Sequence, residues 1–322
     1  MNKRKIVVLV TASVSALLVA LAFLCMLVSV KYIGAADHLY AHSRTEIDEP
    51  ICHISVQTSI TSISICTTET ENAYVELYDR ENAVYRIAAE DGTLVIEEVG
   101  RRAWYEQLGV FPKTPKMTLY LPEGTYGDLS VTSSRGEIEV SSRFLFQHVT
   151  ILSATGNVTC RASAVEWIAI TGTTGRVALE HLVASNIDVL VSTGNIEVSG
   201  VTCTKKIALD SFSGNVTVTD TACKSFSSTG KSGGLYMKNV VARRYFSIDR
   251  TSGNLMLDGC DAGVGYLVTG SGNVTGSWLS SKIFEVKTSS GNKDLPSTTS
   301  GGKCRVTTGS GNITMTILDE TE

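Results

Sequence analysis

Two aspartates are the strongest candidates for chemistry in this 322-residue chain. Asp210 and Asp249 each stand four residues before a glycine of a regular series, Gly214 and Gly253. Glycoside hydrolysis uses a pair of carboxylates held about 5–9.5 Å apart, and polysaccharide lyases set a basic residue beside acidic metal ligands. Thr229 occupies the equivalent place between the two aspartates, and the pattern puts no His, Arg or Lys on their face. His148 and His181 fall at different phases of the series. No GxSxG, HExxH or phosphate-cradling sequence occurs. Cys25 lies in an apolar segment, and Cys52, Cys66, Cys160, Cys203, Cys223, Cys260 and Cys304 have neither CxxC nor Cys/His spacing. No catalytic residue, cofactor or metal site is therefore expected, and Asp210 and Asp249 read as part of a solvated strand face.

The elements that carry these residues are set by a repeat. Gly136, Gly156, Gly175, Gly194, Gly214, Gly233, Gly253, Gly272, Gly291 and Gly311 follow one another at intervals of 19 or 20 residues. Two and four residues after each glycine come apolar side chains such as Val177 and Leu179 or Val216 and Val218. Seven and five residues before it come others, such as Ile187 and Val189 or Ile207 and Leu209. Alternation at i and i+2 is a strand with one buried face. Each repeat thus reads as two short strands joined by a Ser/Thr-Gly-Asn corner. Neither can bury its apolar side alone, so the repeats must stack in parallel, about 4.8 Å apart, into a β-solenoid of about ten rungs over 123–318. Gly276, Lys293 and Ser228 interrupt the inward alternation, and Gly301-Gly302 adds an extra corner.

The corner position after glycine is Asn157, Asn195, Asn215, Asn254, Asn273, Asn292 and Asn312 in seven of the ten repeats. Asn tolerates left-handed backbone, and stacked side-chain amides are expected to bond one another in a ladder. That ladder accounts for the N-x-Thr sequons at 157, 215, 273 and 312 without glycans. A two-residue insertion at the Gly214 corner is expected to be tolerated, whereas Ile207→Asp should unfold the coil. Cys203 and Cys223 each lie nine residues after a corner glycine, so a thiol ladder between adjacent rungs is expected ahead of a disulfide. Cys52 shares a strand face with Ile54 and Val56 while Cys66 lies opposite Ile63 and Ile65, which argues against their pairing.

Residues 6–30 form an apolar run preceded by Lys3, Arg4 and Lys5. Its length, roughly 37 Å as a helix, spans a bilayer, and the positive cluster puts residues 1–5 in the cytoplasm and the remainder outside. A cleavable signal peptide is the rival reading, although its apolar core would be about 7–15 residues. Residues 31–50 read as a polar stalk, 51–122 as a strand-rich capping module, and 319–322 as an acidic tail. Within the module, Arg101, Arg102, Trp104, Tyr105 and Phe111 mix cations with aromatics outside any strand pattern and are the candidate partner-binding loop.

Composition narrows the function classes. Ser and Thr number 35 and 36, the hydrophobic fraction is 43% and the formal charge is −4. A nucleic-acid binder would need a basic excess, and a disordered chain would lack the apolar content. The order of apolar anchor, LYLPEGTYGDLSV-type segment, SGN-(Ile/Val)-x-(Val/Leu) repeats and the closing KTSSGNKDLPSTTSGGKCRVTTGSGNITM resembles the putative-adhesin family of β-strand-repeat bacterial envelope proteins over about residues 50–318. The resemblance implies a right-handed β-helix-like solenoid displayed outside a bacterial cell of Gram-positive type, and no catalytic residue. The expected function is a membrane-anchored extracellular module that engages cell-wall polymer, glycan or an envelope protein. A sensor or accessory ectodomain of an envelope-stress or transport system, and a carbohydrate-active enzyme, remain the alternatives.

Overall fold

The computed structural model describes residues 40–81, 83–100 and 114–318, and all regular structure among them is β. The expected helix over 6–30, the loop residues Arg101, Arg102, Trp104, Tyr105 and Phe111, and the acidic tail lie outside the described residues.

Parallel stacking is as the repeat requires, but each turn has three sides instead of two. In the turn around Gly175, a long side runs from Trp167 to Thr174, a short side follows the glycine over Val177–Glu180, and a third short side begins at Val183. A register shift separates the third side from the next long side, as between Ala164 and Trp167. The long-side column Val149, Ile168, Ile187, Ile207, Phe226, Phe246 is in register from turn to turn and buried throughout. The third side escapes the two-strand reading because its inward columns are irregular: Ala164, Ala184, Cys203, Cys223, Ala242 and Ala262 are small, and Leu182, Val201, Thr221, Val240 and Cys260 mix large apolar with small and polar side chains.

Close stacking at the corners explains their composition. Gly214 has φ +151°, and a Cβ there would overlap the carbonyl oxygen of Gly194 in the turn below, so both backbone angle and space demand glycine. The Asn residues that follow do not take left-handed φ, and their amides do not bond one another as expected. Instead the Oδ1 atoms of six of the seven, all but Asn292 of the terminal turn, accept a backbone N–H from the neighbouring turn, among them Asn195 from Asn215 (3.0 Å), Asn215 from Gly234 (2.9 Å) and Asn254 from Asn273 (2.8 Å). The corner breaks the strand ladder, and the side chain satisfies the donor left over. Hydroxyls three residues before the glycine do the same for the corner carbonyls, as Thr269 Oγ1 donates to Gly253 O (3.0 Å). A second corner carries the left-handed residues His181, Gly200, Asp220, Asn239 and Gly259, again 19 or 20 apart.

Stacking order departs from chain order at both ends. The final turn, Gly302–Ser310 with Ile313–Ile317, inserts between the turns of Gly272 and Gly291, so that Cys304 pairs with Gly265 on one side and with Phe284 on the other. Lys293 explains the exchange. It occupies an inward column position opposite Ile313, and only a terminal turn leaves that position in water. At the other end lie β1 (Tyr40–Ile47), β2 (His53–Thr58), β3 (Ser62–Thr68), β4 (Ala73–Arg80), β5 (Val84–Glu90), β6 (Thr93–Val99) and β7 (Lys116–Pro122). β2 and β3 pair in parallel with the first glycine turn, and β6 and β7 stack in parallel outside them. Segment 51–122 thus continues the coil before β4 and β5 close it with antiparallel pairings. The supposed stalk contributes β1, an exposed edge strand on β4.

The other interruptions are compensations. Gly276 leaves room for Met315 and for the buried Trp278 ring. Ser228, fully buried, donates to Leu209 O (2.8 Å) and accepts from Arg250 Nη2 (2.9 Å). Arg250 is only 1% exposed, and its Nε and Nη1 have no hydrogen-bond partner. Burial pushes its pKa down, against the attraction of Asp210. Removing an incompletely satisfied buried charge is often neutral or stabilising, so Arg250→Met should leave stability unchanged or raise it by about 1–4 kcal/mol. Urea unfolding followed by far-UV circular dichroism measures this, and a clear loss of stability would show Arg250 to be a structural prop. The second buried cation, Lys282, is paired with Asp261 (2.5 Å).

Candidate functional site

The long side is the broadest outer surface of the coil, and its outward columns lie two, four and six residues before each glycine. Asp210, Thr229 and Asp249 form one such column in register, as the repeat implied. Two rungs separate the carboxylates, about 10 Å at the spacing of parallel strands. Thr229 fastens the first, donating to Asp210 Oδ1 from its hydroxyl (2.6 Å) and its backbone N–H (3.2 Å). The expectation that no basic residue shares this face is corrected by Lys231. It occupies the column two residues before the glycine, which has the same parity, and lies over the Phe212 ring at 4.6 Å from its centroid. Leu190, Asp210, Phe212, Thr229, Lys231, Asp249 and Thr251 line one open concavity of about 390 Å³. Phe212 is 55% exposed.

This arrangement can hold a hydroxylated ligand. Carboxylates and threonine hydroxyls accept hydrogen bonds from alcohols, Lys231 donates, and the exposed phenyl ring offers an apolar face for C–H groups. It has no evident acid–base pair: the two carboxylates are spaced at or beyond the long limit for inverting hydrolysis, and Asp210 is engaged by Thr229. Phe212 and Lys231 stand two residues before Gly214 and Gly233, an offset present in the sequence, but the periodic signal resides in the inward positions.

The other sequence candidates separate. Asn157, Asn195, Asn215, Asn254, Asn273, Asn292 and Asn312 line the glycine corner, and their side-chain bonds are structural. Arg101, Arg102, Trp104, Tyr105 and Phe111, which fall between β6 and β7 in sequence, lie outside the described residues. His148 lies at the register shift before the long side and His181 at the left-handed corner. Among the described residues no cluster of His, Cys, Asp and Glu is suited to a metal.

All seven described cysteines are free thiols. Cys203 and Cys223 stand in adjacent turns, buried in the alanine column, as the thiol-ladder reading expected. Burial pushes the thiols of Cys160, Cys223 and Cys304 up to about 12 and that of Cys260 up to about 11, so they pack as small apolar groups without nucleophilic reactivity. Cys52 does not share the buried face of Ile54 and Val56, because it precedes β2 and is exposed.

Comparison with known proteins agrees with the fold. The family model Toastrack DUF4097 matches residues 51–211 and 186–322. The crystal structure of a putative adhesin from Parabacteroides distasonis superposes with a TM-score of 0.50 at 13% identity, covering 85% of this chain and 96% of that one. A putative adhesin from Bacteroides fragilis gives 0.41 at 14% identity, with 86% and 96% covered. A putative lipid binding protein from Parabacteroides distasonis gives 0.34 at 15% identity, with 84% and 96% covered. At 13% identity, the first likeness is one of fold alone. No curated protein matches the sequence.

Proposed function

Since the chain belongs to the Toastrack DUF4097 family, we propose that it is a membrane-anchored, extracellular envelope module whose long solenoid face holds a saccharide of the cell wall without turning it over. The concavity around Phe212 carries the reading, because it joins an exposed ring to two carboxylates, two threonine hydroxyls and a lysine on a stiff backbone. A rigid scaffold suits weak polar contacts, since little ordering entropy is spent on binding. The cationic residues 3–5 and the apolar run after them support the anchor and the extracellular orientation of the coil.

Full-length protein in detergent, immobilised and titrated with soluble cell-wall oligosaccharides, tests the binding. Wild type should show saturable retention, and Phe212→Ala should weaken it on the order of tenfold or more, the usual cost of removing an aromatic anchor. Absence of saturable retention by wild type would sink the reading, and release of shortened fragments would turn it toward hydrolysis at Asp210 and Asp249. External protease acting on intact cells should digest the coil; protection would overturn the orientation.

A further inference from the structure

The same long side begins, several turns toward the amino-terminal end, with a group of titratable side chains that the saccharide reading does not use. His148 faces a carboxylate on each side: Nδ1 meets Asp128 Oδ1 at 2.5 Å and Nε2 meets Glu166 Oε2 at 3.2 Å. Carboxylates only accept, so both bonds form together only when both ring nitrogens carry protons, which makes the ring an imidazolium. Its flat face stacks on Trp167, with ring centroids 3.5 Å apart and planes inclined by 26°. The indole is otherwise 40% exposed.

We propose that Asp128, His148, Glu166 and Trp167 form a proton-operated latch, in which the imidazolium is clamped over the indole and loss of one proton releases it, uncovering a second aromatic surface on the long side. The neutral ring keeps a single N–H, so one carboxylate must lose its bond and the cation–π attraction to the indole disappears. Burial of the ring disfavours the proton, but the bonds and charges of Asp128 and Glu166 outweigh it and raise the His148 pKa. Glu166 is correspondingly lowered, first by His148, then by Gln147, whose Nε2 donates to its other oxygen, with Lys205 adding attraction from the next turn but one. On the remaining side His53 approaches Asp128. Its Nδ1 lies 3.0 Å from the Asp128 backbone N–H, which donates to it. These groups fix the sign. A histidine whose folded pKa is raised stabilises the fold fully below its unfolded value, about 6.5, and that contribution fades as pH rises through the folded pKa. The clamp is thus closed below the raised His148 pKa, while the two carboxylates stay ionised, and opens as pH rises through that pKa.

Tryptophan emission of the full-length protein in detergent, titrated from pH 5 to 9, tests the latch without any ligand and so stands or falls apart from the saccharide reading. Stacked imidazolium quenches indole, so wild type should brighten in one transition centred above about pH 6.5. Trp167→Phe should abolish the transition, which separates it from Trp104 and Trp278. His148→Gln should abolish it as well, leaving the emission flat with pH, and Glu166→Gln should move its midpoint down. A flat wild-type titration, or a transition that survives in His148→Gln or in Trp167→Phe, would overturn the proposal. Matching far-UV spectra show whether each variant is folded, and Glu166→Gln, an exposed isosteric change, keeps the test open should His148→Gln fail to fold.

Discussion

Ile207→Asp should break the coil at its centre. The side chain is fully buried, stacked between Ile187 and Phe226 in a column that continues through Phe246. Loss of the packed isoleucine costs about 2–5 kcal/mol, and a carboxylate in its place must remain unpaired or take up a proton. The sum, about 5 kcal/mol or more, is comparable to the stability of an entire domain. Because each turn touches only its neighbours, the damage should appear as division of the unfolding transition into separate phases for the two flanks. Urea unfolding by circular dichroism measures it, with Ile207→Val as the control at about 1 kcal/mol. A variant that unfolds in one transition at the wild-type midpoint would refute the stacked column.

Gly214→Ala should be nearly as severe, about 3 kcal/mol or more, although it adds one methyl group. The residue has φ +151°, and the new Cβ would overlap the Gly194 carbonyl oxygen, which is backbone and cannot rotate away. Gly172→Ala is the matched control. Its nearest neighbours would be Val191 and Val177 side-chain carbons at 3.6 and 3.8 Å, ordinary packing distances, so the change should be neutral or stabilise by about 0.4–1 kcal/mol. Equal effects at the two sites would show that the corner does not need glycine. The same geometry reverses the expectation that two residues can be inserted at Gly214. An insertion there would part Asn215 from both Asn195 and Gly234, and it should be as damaging as the alanine.

The candidate site was half legible. Asp210, Thr229 and Asp249 share one column because their offset from the glycines is constant, and the register bears this out. Phe212 and Lys231 share the same parity two residues on, but a single phenylalanine among Thr173, Ser192 and Thr251 carries no periodic signal. The latch residues were harder to see. Asp128, His148 and Trp167 each stand eight residues before a corner glycine, so the register stacks them, but three unlike side chains carry no periodic signal and Glu166 falls within the register shift.

What the sequence by itself determined was the periodic part: the rung length, the glycine corners, the inward columns of the two main sides and the all-β class. These follow from side-chain alternation and from backbone sterics at glycine, which act locally and identically in each repeat. Only the tertiary structure decided the order of the turns. The repeats of Gly291 and Gly311 both carry the Ser-Gly-Asn corner and could each have followed Gly272. The choice between them depends on where Lys293 can reach water, and that is a property of the finished stack. The third side and the surface clusters belong to the same class, because small buried residues and lone outward side chains acquire meaning only from the neighbour that the coil brings alongside.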